Sequence, residues 1–192
     1  MIQVSIKAEV KDKSGRTLSS ERHPSDSFVR GWNHLICAQM MGETDPTPNI
    51  TTKNTDGNDR SLMYCQTALR CSAAIGVTDY GIRIGTDNTP VDIEQWALIA
   101  PITEGVGGGQ MEHRAVTFND LGVVGNVCSF EVERIIDNNS GGAIHVLEAA
   151  IYIVGLKEGF PLQYFCGARD LIDLNVLDGA SITVTYTIRV VA

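Results

Sequence analysis

Apolar and polar residues alternate strictly over residues 182–190. The apolar positions are Ile182, Val184, Tyr186, Ile188 and Val190, and threonines and an arginine stand between them. A period of two in β-branched and aromatic residues predicts a half-buried β-strand. Asp178-Gly179, just before it, is a turn signal, because glycine accepts a positive φ angle at no steric cost. We therefore expect a paired strand that belongs to a non-local β fold.

The same alternation predicts several further strands. It is present at 2–10, and a turn at 12–15 followed by 16–22 predicts a hairpin. Later strands are predicted at 111–118, 126–136, 143–154 and 162–171. Breaks rich in Asn, Gly and Pro separate them. Short strands at this spacing predict a mainly β chain, folded as an antiparallel two-sheet β-sandwich of jelly-roll type.

One stretch follows the helical period instead. Apolar side chains recur at i, i+1, i+4, i+7 and i+8, at Phe28, Val29, Trp32, Leu35 and Ile36. This spacing predicts an amphipathic helix near residues 27–41, and Gly31 within it indicates close packing on a sheet. The predicted core residues are Phe28, Trp32, Leu35 and Ile36 from the helix, and Ile182, Val184, Tyr186 and Ile188 from the last strand.

The middle of the chain contains the segment that is hardest to place in a core. Residues 43–61, "ETDPTPNITTKNTDGNDRS", are polar and include two prolines, which predicts a surface loop or arm. Residues 80–98 predict a strand, a glycine turn and then a helical turn or short helix. We interpret residues 1–192 as a single β-sandwich domain with a polar loop or arm at 43–61, because a chain of this length can bury roughly 70% of its unfolded surface.

Charge and cysteine content narrow the possible partners. A formal net charge of −8 repels phosphate backbones, so we expect no nucleic-acid partner. No apolar run approaches the roughly 18 residues of a membrane span, and the start, "MIQVSIKAEVKDK", predicts no secretory signal. The five cysteines are an odd number at wide spacing, so we expect reduced thiols in a chain made in the cytoplasm.

The candidate chemical groups do not form a recognisable motif. The four histidines stand far apart, without the HxH or HExxH spacing of metal sites. Glu131 and Glu133 share one strand face, which is more typical of a solvated surface than of a glycosidase pair. Trp32 and Trp96 lie in helical patterns, which favours core packing over sugar stacking. We therefore predict no catalytic, cofactor-binding or metal-binding residues, no cofactor and no enzymatic turnover.

Several segments together resemble a pattern of structural proteins from tailed bacteriophages. "SFEVERIIDNNSGGAIHVLEAAIYIV" (129–154) and "CGARDLIDLNVLDGASITVTYTIRV" (166–190) are similar to the strands of that pattern and to its "LTVTYTI" ending. "SFVRGWNHLI" (27–36) resembles its helix, and "YGIRIGTDNTPVDIEQWALIAPITEG" (80–105) its glycine-rich middle segment. The resemblance covers about two-thirds of the chain in the right order. Glu133-Arg134 and Ala149-Ala150 depart from it locally.

This resemblance implies a virion β protein of the head, neck or tail, made in the bacterial host cytoplasm. Such a subunit acts as a capsid decoration, head-fibre, neck or tail accessory protein, by forming homo-oligomers and binding other virion proteins. The resemblance implies no catalytic residues for this chain. Two alternatives from other classes remain: a carbohydrate-binding β-sandwich module, for which the aromatic content of 6% is low, and a cupin-like metalloenzyme, whose paired histidine motif is missing.

Overall fold

The computed structural model describes residues 2–25, 29, 31–32, 34–36, 51–63, 69–157 and 162–191. They contain the strands β1 (Ile2–Lys11), β2 (Thr17–Pro24), β3 (Thr51–Lys53), β4 (Asp59–Met63), β5 (Gly81–Gly85), β6 (Glu112–Val124), β7 (Val127–Asp137), β8 (Ile144–Lys157), β9 (Leu162–Val176) and β10 (Ser181–Val191). Neighbouring strands in the sheets pair antiparallel. The prediction of a mainly β, antiparallel chain is confirmed.

β10 lies at the centre of the first sheet, whose strand order is β2-β1-β10-β7-β6. Tyr186 stands opposite Ile6 of β1 and opposite Val132 of β7, so the strand connects distant parts of the sequence as predicted. β1 and β2 form the expected hairpin. Of the residues predicted to be in the core, Ile182, Val184 and Tyr186 are fully buried. Ile188 is only half-buried.

β8 is the central strand of the second sheet. β9 pairs with β8 along one edge, while β5 and β4 pair with different parts of its other edge. β3 extends the sheet by pairing with β4. A strand of 14 residues is long enough to carry two short partners one after the other on the same edge.

Both sheets supply one cluster of buried apolar side chains. The first sheet contributes, among others, Ile6, Val10, Val132, Ile136, Ile182 and Val184, and the second Ile82, Ile84, Ile151, Ile153, Phe165 and Leu174. Full burial of one such side chain is worth about 1.5–3 kcal/mol. This shared cluster is therefore the main apolar contact between the two sheets.

The predicted helix is described only in part. Residues 31–32 and 34–36 are helical, whereas Phe28 and residues 37–41 lie outside the described residues. Leu35 is fully buried, and Trp32 and Ile36 are half-buried. A Cβ on Gly31 would stand 2.8 Å from the Cys166 carbonyl oxygen. The glycine thus allows the close approach to a sheet that its position in the helix indicated.

The surface loop or arm predicted at 43–61 is a β-hairpin, and not a loop, in the part that the structure describes. Residues 51–61 belong to the β3–β4 hairpin, and residues 43–50 lie outside the described residues. The Asn54 side-chain oxygen accepts the backbone N–H groups of Asp56 and Asn58 and so closes the turn. Its amide nitrogen donates to Gln163 at 2.7 Å. This polar segment forms a hairpin because its buried amide is satisfied by hydrogen bonds and because Leu62 of β4 is buried in the shared apolar cluster.

Residues 80–98 follow the prediction in their first half. β5 is a fully buried strand, but residues 86–98 form a loop and not a helix. Its one helix-like feature is a single turn in which the Gln95 N–H donates to the Asp92 carbonyl at 3.0 Å. The Asp92 side chain also accepts a hydrogen bond from the backbone N–H of Glu94. Such local side-chain hydrogen bonds compete with helix formation.

Candidate functional site

An apolar groove lies where one end of the first sheet meets the second sheet and the helical segment. It encloses about 430 Å³, and it is lined by Trp32, Leu69, Arg70, Cys71, Ser72, Phe118, Phe130, Val132, Ile151, Ile153 and Ile188. We call this the open-end groove. Its size falls within the range of ligand-binding cavities, and its lining is almost entirely apolar. Two of the residues predicted to be in the core, Trp32 and Ile188, line this groove.

Burial decreases along the inner face of the first sheet towards this groove. Tyr186 and Val132 are at most 1% exposed, while Ile188 and Phe130, the next pair on that face, are half-buried. Phe118 is 48% exposed and Val123 70% exposed. The described part of the second sheet therefore leaves this end of the apolar face open. Contiguous exposed apolar surface of this kind marks interaction sites.

The tip of the β6–β7 hairpin, residues 121–130, lies beside the groove and is also apolar. Val123 and Val124 are 70% and 81% exposed, and the ten residues contain no charged side chain. β6 is the last strand of its sheet. Its first half bonds to the segment 73–76, through Val116 N–H to Ala73 and Gly76 N–H to His113, so among the described residues the edge open to pairing lies towards the tip. The register shift between Asn119 and Gly122 bends the strand, which is one way in which proteins protect such edges.

Phe118 and Phe130 are two groove residues that were not among the predicted site residues. Each lies in a segment for which the sequence predicted a strand. Their exposure, however, depends on how far the first sheet extends past the second. Only the positions of the two sheets decide that distance.

A second, polar cavity of about 200 Å³ lies on the other side of the helical segment. It is lined by Gly31, Thr51, Thr52, Lys53, Asp59, Glu94, Gln95, Trp96 and Cys166. Thr52 and Cys166 are buried and form its floor. Trp96 is 39% exposed, so the prediction that it packs in the core is wrong. It lies on the 86–98 loop, whose failure to form a helix leaves the indole at the surface.

A buried ion pair holds this loop against the second sheet. Arg169 Nε donates to Glu148 Oε2 at 2.7 Å, and both side chains are 0% exposed. Glu148 also accepts the backbone N–H groups of Ile99 and Ala100. Arg169 donates to the carbonyl oxygen of Thr89 and to Gln95 Oε1, each at 2.9 Å.

This pair thus fixes the loop at both ends. Buried charges are costly unless they are paired and hydrogen-bonded, and here each partner has several bonds. The loop is therefore held in one position relative to β8 and β9.

A second buried arginine binds backbone instead of a carboxylate. Arg134 is fully buried and donates to the carbonyl oxygens of Arg114, Ile82, Ala74 and Val77 at 2.7–3.2 Å. Burial and the nearby charge of Arg83 lower its pKa to about 10, which leaves it charged at neutral pH. It connects β7 with β6, with β5 and with the segment 74–77.

His113 lies next to this arginine in the interior. Its Nδ1 is 2.8 Å from Glu104 Oε2, and its side chain is 0% exposed. Burial first, and then the positive charge of Arg134, lower its pKa to about 4. The imidazole is therefore neutral at pH 7 and acts as part of the packed interior.

The other candidate groups are separated in space. His145 Nε2 lies 2.6 Å from Asp173 Oδ1 at the surface. Glu131 and Glu133, which are half-buried, accept the hydroxyl groups of Thr187 and Thr185 on one face of the first sheet. Among the residues that the structure describes, no group of three or more His, Cys, Asp or Glu side chains could hold a metal ion.

The buried thiols are poorly suited to nucleophilic chemistry. Burial raises the pKa of Cys71 to about 11 and that of Cys166 to about 12, so neither forms an appreciable thiolate at neutral pH. Cys71, Cys128 and Cys166, the cysteines with described positions, are free thiols.

No described helix is long and apolar enough to cross a membrane. Comparison of the chain with models of protein families, with curated proteins and with solved structures found no match.

Proposed function

We propose that this chain is a non-enzymatic structural subunit of a bacteriophage virion, which self-assembles and binds neighbouring virion proteins. The observation that carries the proposal is the open-end groove, which lies beside an apolar, uncharged hairpin tip on the same chain. The resemblance of the strand and turn motifs to phage structural proteins supplies the virion setting. A capsid decoration, head-fibre, neck or tail accessory role fits a subunit of this kind.

The finer architecture belongs to the same proposal. The two sheets face each other as a β-sandwich of jelly-roll type, with the shared apolar cluster between them. In support, β1, β7 and β10 of the first sheet and β5, β8 and β9 of the second all contribute to that cluster. A rigid two-layer body is a suitable scaffold for repeated copies in a shell, because its exposed ends keep a constant geometry.

The groove is occupied by the hairpin tip of a second copy of this chain. The tip presents Val123 and Val124, which are large exposed apolar residues, and the groove presents Phe118, Phe130 and Ile188. Tip and groove are neighbouring parts of one chain, so each copy offers both sides of the contact, which closes either as a symmetric pair or as a ring. The uncharged tip matters because copies with a net charge of −8 repel one another elsewhere.

The test is the oligomeric state of a double variant, Val123→Asp with Val124→Asp. Both side chains are mostly exposed, so folding is retained, while two carboxylates entering an apolar groove prevent the contact. The control is Ile75→Asp, because Ile75 is 77% exposed and is not among the groove residues. In sedimentation velocity, we expect a closed oligomer for the wild-type chain and the control, and a monomer for the double variant.

Two results would overturn the proposal. A monomeric wild-type chain contradicts self-assembly, and an unchanged oligomer in the double variant contradicts the tip-in-groove contact. For the virion role, we expect the chain among the proteins that mass spectrometry detects in purified particles of the phage that carries its gene. Its absence from those particles removes the virion assignment.

A further inference from the structure

We propose that the polar cavity beside Trp96 is a binding site for a neutral saccharide. This inference is independent of the assembly function, because the cavity and the open-end groove have no lining residue in common. It reverses the sequence-based interpretation of Trp96 as a core residue.

The lining combines the groups that sugar recognition needs. An indole supplies an apolar face, which suits the C–H face of a pyranose ring, and it has one N–H donor. Around it stand the carboxylates of Asp59 and Glu94, the amide of Gln95 and the ammonium group of Lys53. Carboxylates accept hydrogen bonds from sugar hydroxyl groups, and amide and ammonium groups donate hydrogen bonds to sugar hydroxyl groups. A few polar groups placed around an apolar surface are typical of small-molecule sites.

The indole is held in place although it is exposed. A Cβ on Gly57, at the tip of the β3–β4 hairpin, would stand 3.1 Å from Trp96 Cζ2. The hairpin turn therefore packs directly against one part of the ring. A large aromatic side chain that is 39% exposed and yet wedged against a turn is a preorganised contact surface, which lowers the entropic cost of binding.

The polar groups are also preorganised. Arg169 Nη1 donates to Gln95 Oε1 at 2.9 Å, which fixes the orientation of the Gln95 amide. Arg169 is itself held by its buried ion pair with Glu148. Lys53 Nζ lies 3.4 Å from Asp59 Oδ1 and donates to the Gly57 carbonyl at 3.3 Å. The structure therefore holds the loop and the hairpin that border the cavity in fixed positions.

The charges of the lining point to a neutral ligand. The lining includes two carboxylates, those of Asp59 and Glu94, and one ammonium group, that of Lys53, in a chain with a formal net charge of −8. An anionic ligand such as a phosphate or an acidic peptide meets repulsion there, whereas a polyhydroxyl compound meets acceptors. With a volume of about 200 Å³, the cavity suits one sugar residue at a time, so that the rest of a longer glycan extends into solvent.

The test combines a glycan array with a titration. The array presents neutral mono- and oligosaccharides in one arm and bacterial surface polysaccharides in the other, which distinguishes a free sugar from a polymer as the source. The strongest hit is then titrated by isothermal calorimetry against the wild-type chain, Trp96→Ala and Trp96→Phe. The matched control is Ile93→Ala, because Ile93 is 59% exposed on the same loop and does not line the cavity.

We expect saturable binding that weakens at least tenfold in Trp96→Ala, weakens less in Trp96→Phe and is unchanged in Ile93→Ala. Unchanged unfolding midpoints show that the variants remain folded. The proposal is overturned if no sugar in either arm binds, or if Trp96→Ala binds as tightly as the wild-type chain. Trp96→Ala keeps its oligomeric state in sedimentation velocity, so failure of this site and failure of the assembly proposal are distinguishable.

Discussion

Replacing Glu148 with glutamine tests the buried pair that holds the 86–98 loop. The change keeps the size of the side chain and one carbonyl oxygen but removes the negative charge. Arg169, which is 0% exposed, then keeps the Thr89 carbonyl and Gln95 Oε1 as partners. Within the described part of the chain, the carboxylate of Asp87 remains near it, with an oxygen 3.8 Å from Nη2.

The expected cost follows from burial and from the number of bonds. Removing one partner of a fully buried pair typically costs about 3–5 kcal/mol, because the other charge stays buried without compensation. Glu148 also accepts two backbone N–H groups, from Ile99 on Oε2 and from Ala100 on Oε1, and in glutamine the NH2 group cannot accept at one of these two positions. We therefore expect Glu148→Gln to lower the free energy of unfolding by about 4 kcal/mol.

Urea unfolding at pH 7, followed by tryptophan fluorescence, measures this difference. The control is Arg114→Ala, which removes a bidentate but solvent-exposed pair with Asp137 at 2.6 and 2.9 Å. Exposed pairs contribute at most about 1 kcal/mol. A double variant, Glu148→Leu with Arg169→Met, removes both charges, and we expect it to be more stable than Glu148→Gln.

The reasoning is refuted if Glu148→Gln costs no more than the Arg114→Ala control. Such a result would mean that water reaches the pair and screens it. A double variant that is less stable than Glu148→Gln would show that the loss comes from packing and not from the unpaired charge.

Three further predictions concern single side chains. Trp32→Ala should lower the free energy of unfolding in urea by about 2 kcal/mol. This is less than the roughly 3–5 kcal/mol for a fully buried tryptophan, because Trp32 is half-buried. A loss of about 4 kcal/mol would show that the side chain is enclosed. Burial lowers the pKa of His113 from 6.5 to about 4. The unfolded chain therefore binds this proton more tightly than the folded chain does. The stability that is present above pH 6.5 consequently declines as the pH falls towards 4, by up to about 3 kcal/mol. His113→Gln should flatten that decline, and an unchanged slope contradicts the assignment. The cysteines can be alkylated without reductant and counted by intact-mass measurement. In the native chain, Cys71 and Cys166 should stay unmodified while the half-exposed Cys128 reacts. The unfolded chain should show five modified thiols, and a count of three or one modified thiols would reveal disulfides.

The strands could be predicted from the sequence because their signal is local. Side chains alternate between the two faces of any extended chain, so the pattern at 182–190 identified β10 and its buried residues without knowledge of its partners. The hairpin of β1 and β2 and the strands β6 to β9 follow from the same rule together with glycine-rich turns. The shared face of Glu131 and Glu133 is a further consequence of the period of two.

The tertiary structure decided which of these faces are covered. Ile188 and Trp32 have the same apolar character as Ile182 and Leu35, yet they line an open groove because the described second sheet does not cover that end. The β3–β4 hairpin is held by contacts with distant residues: Asn54 bonds to Gln163, 109 positions away, and Leu62 pairs with Lys157 of β8. Local patterns do not contain information of that kind.

The same limit applies to the loop that presents Trp96. The sequence predicted a helical turn or short helix here, but Glu148 on β8 accepts the backbone N–H groups of Ile99 and Ala100, and Arg169 on β9 donates to Thr89 and Gln95. These contacts join residues 48 to 80 positions apart. Strand alternation is a property of neighbouring residues, whereas the positions of the groove, the cavity and the buried ion pair arise only when distant segments pack together.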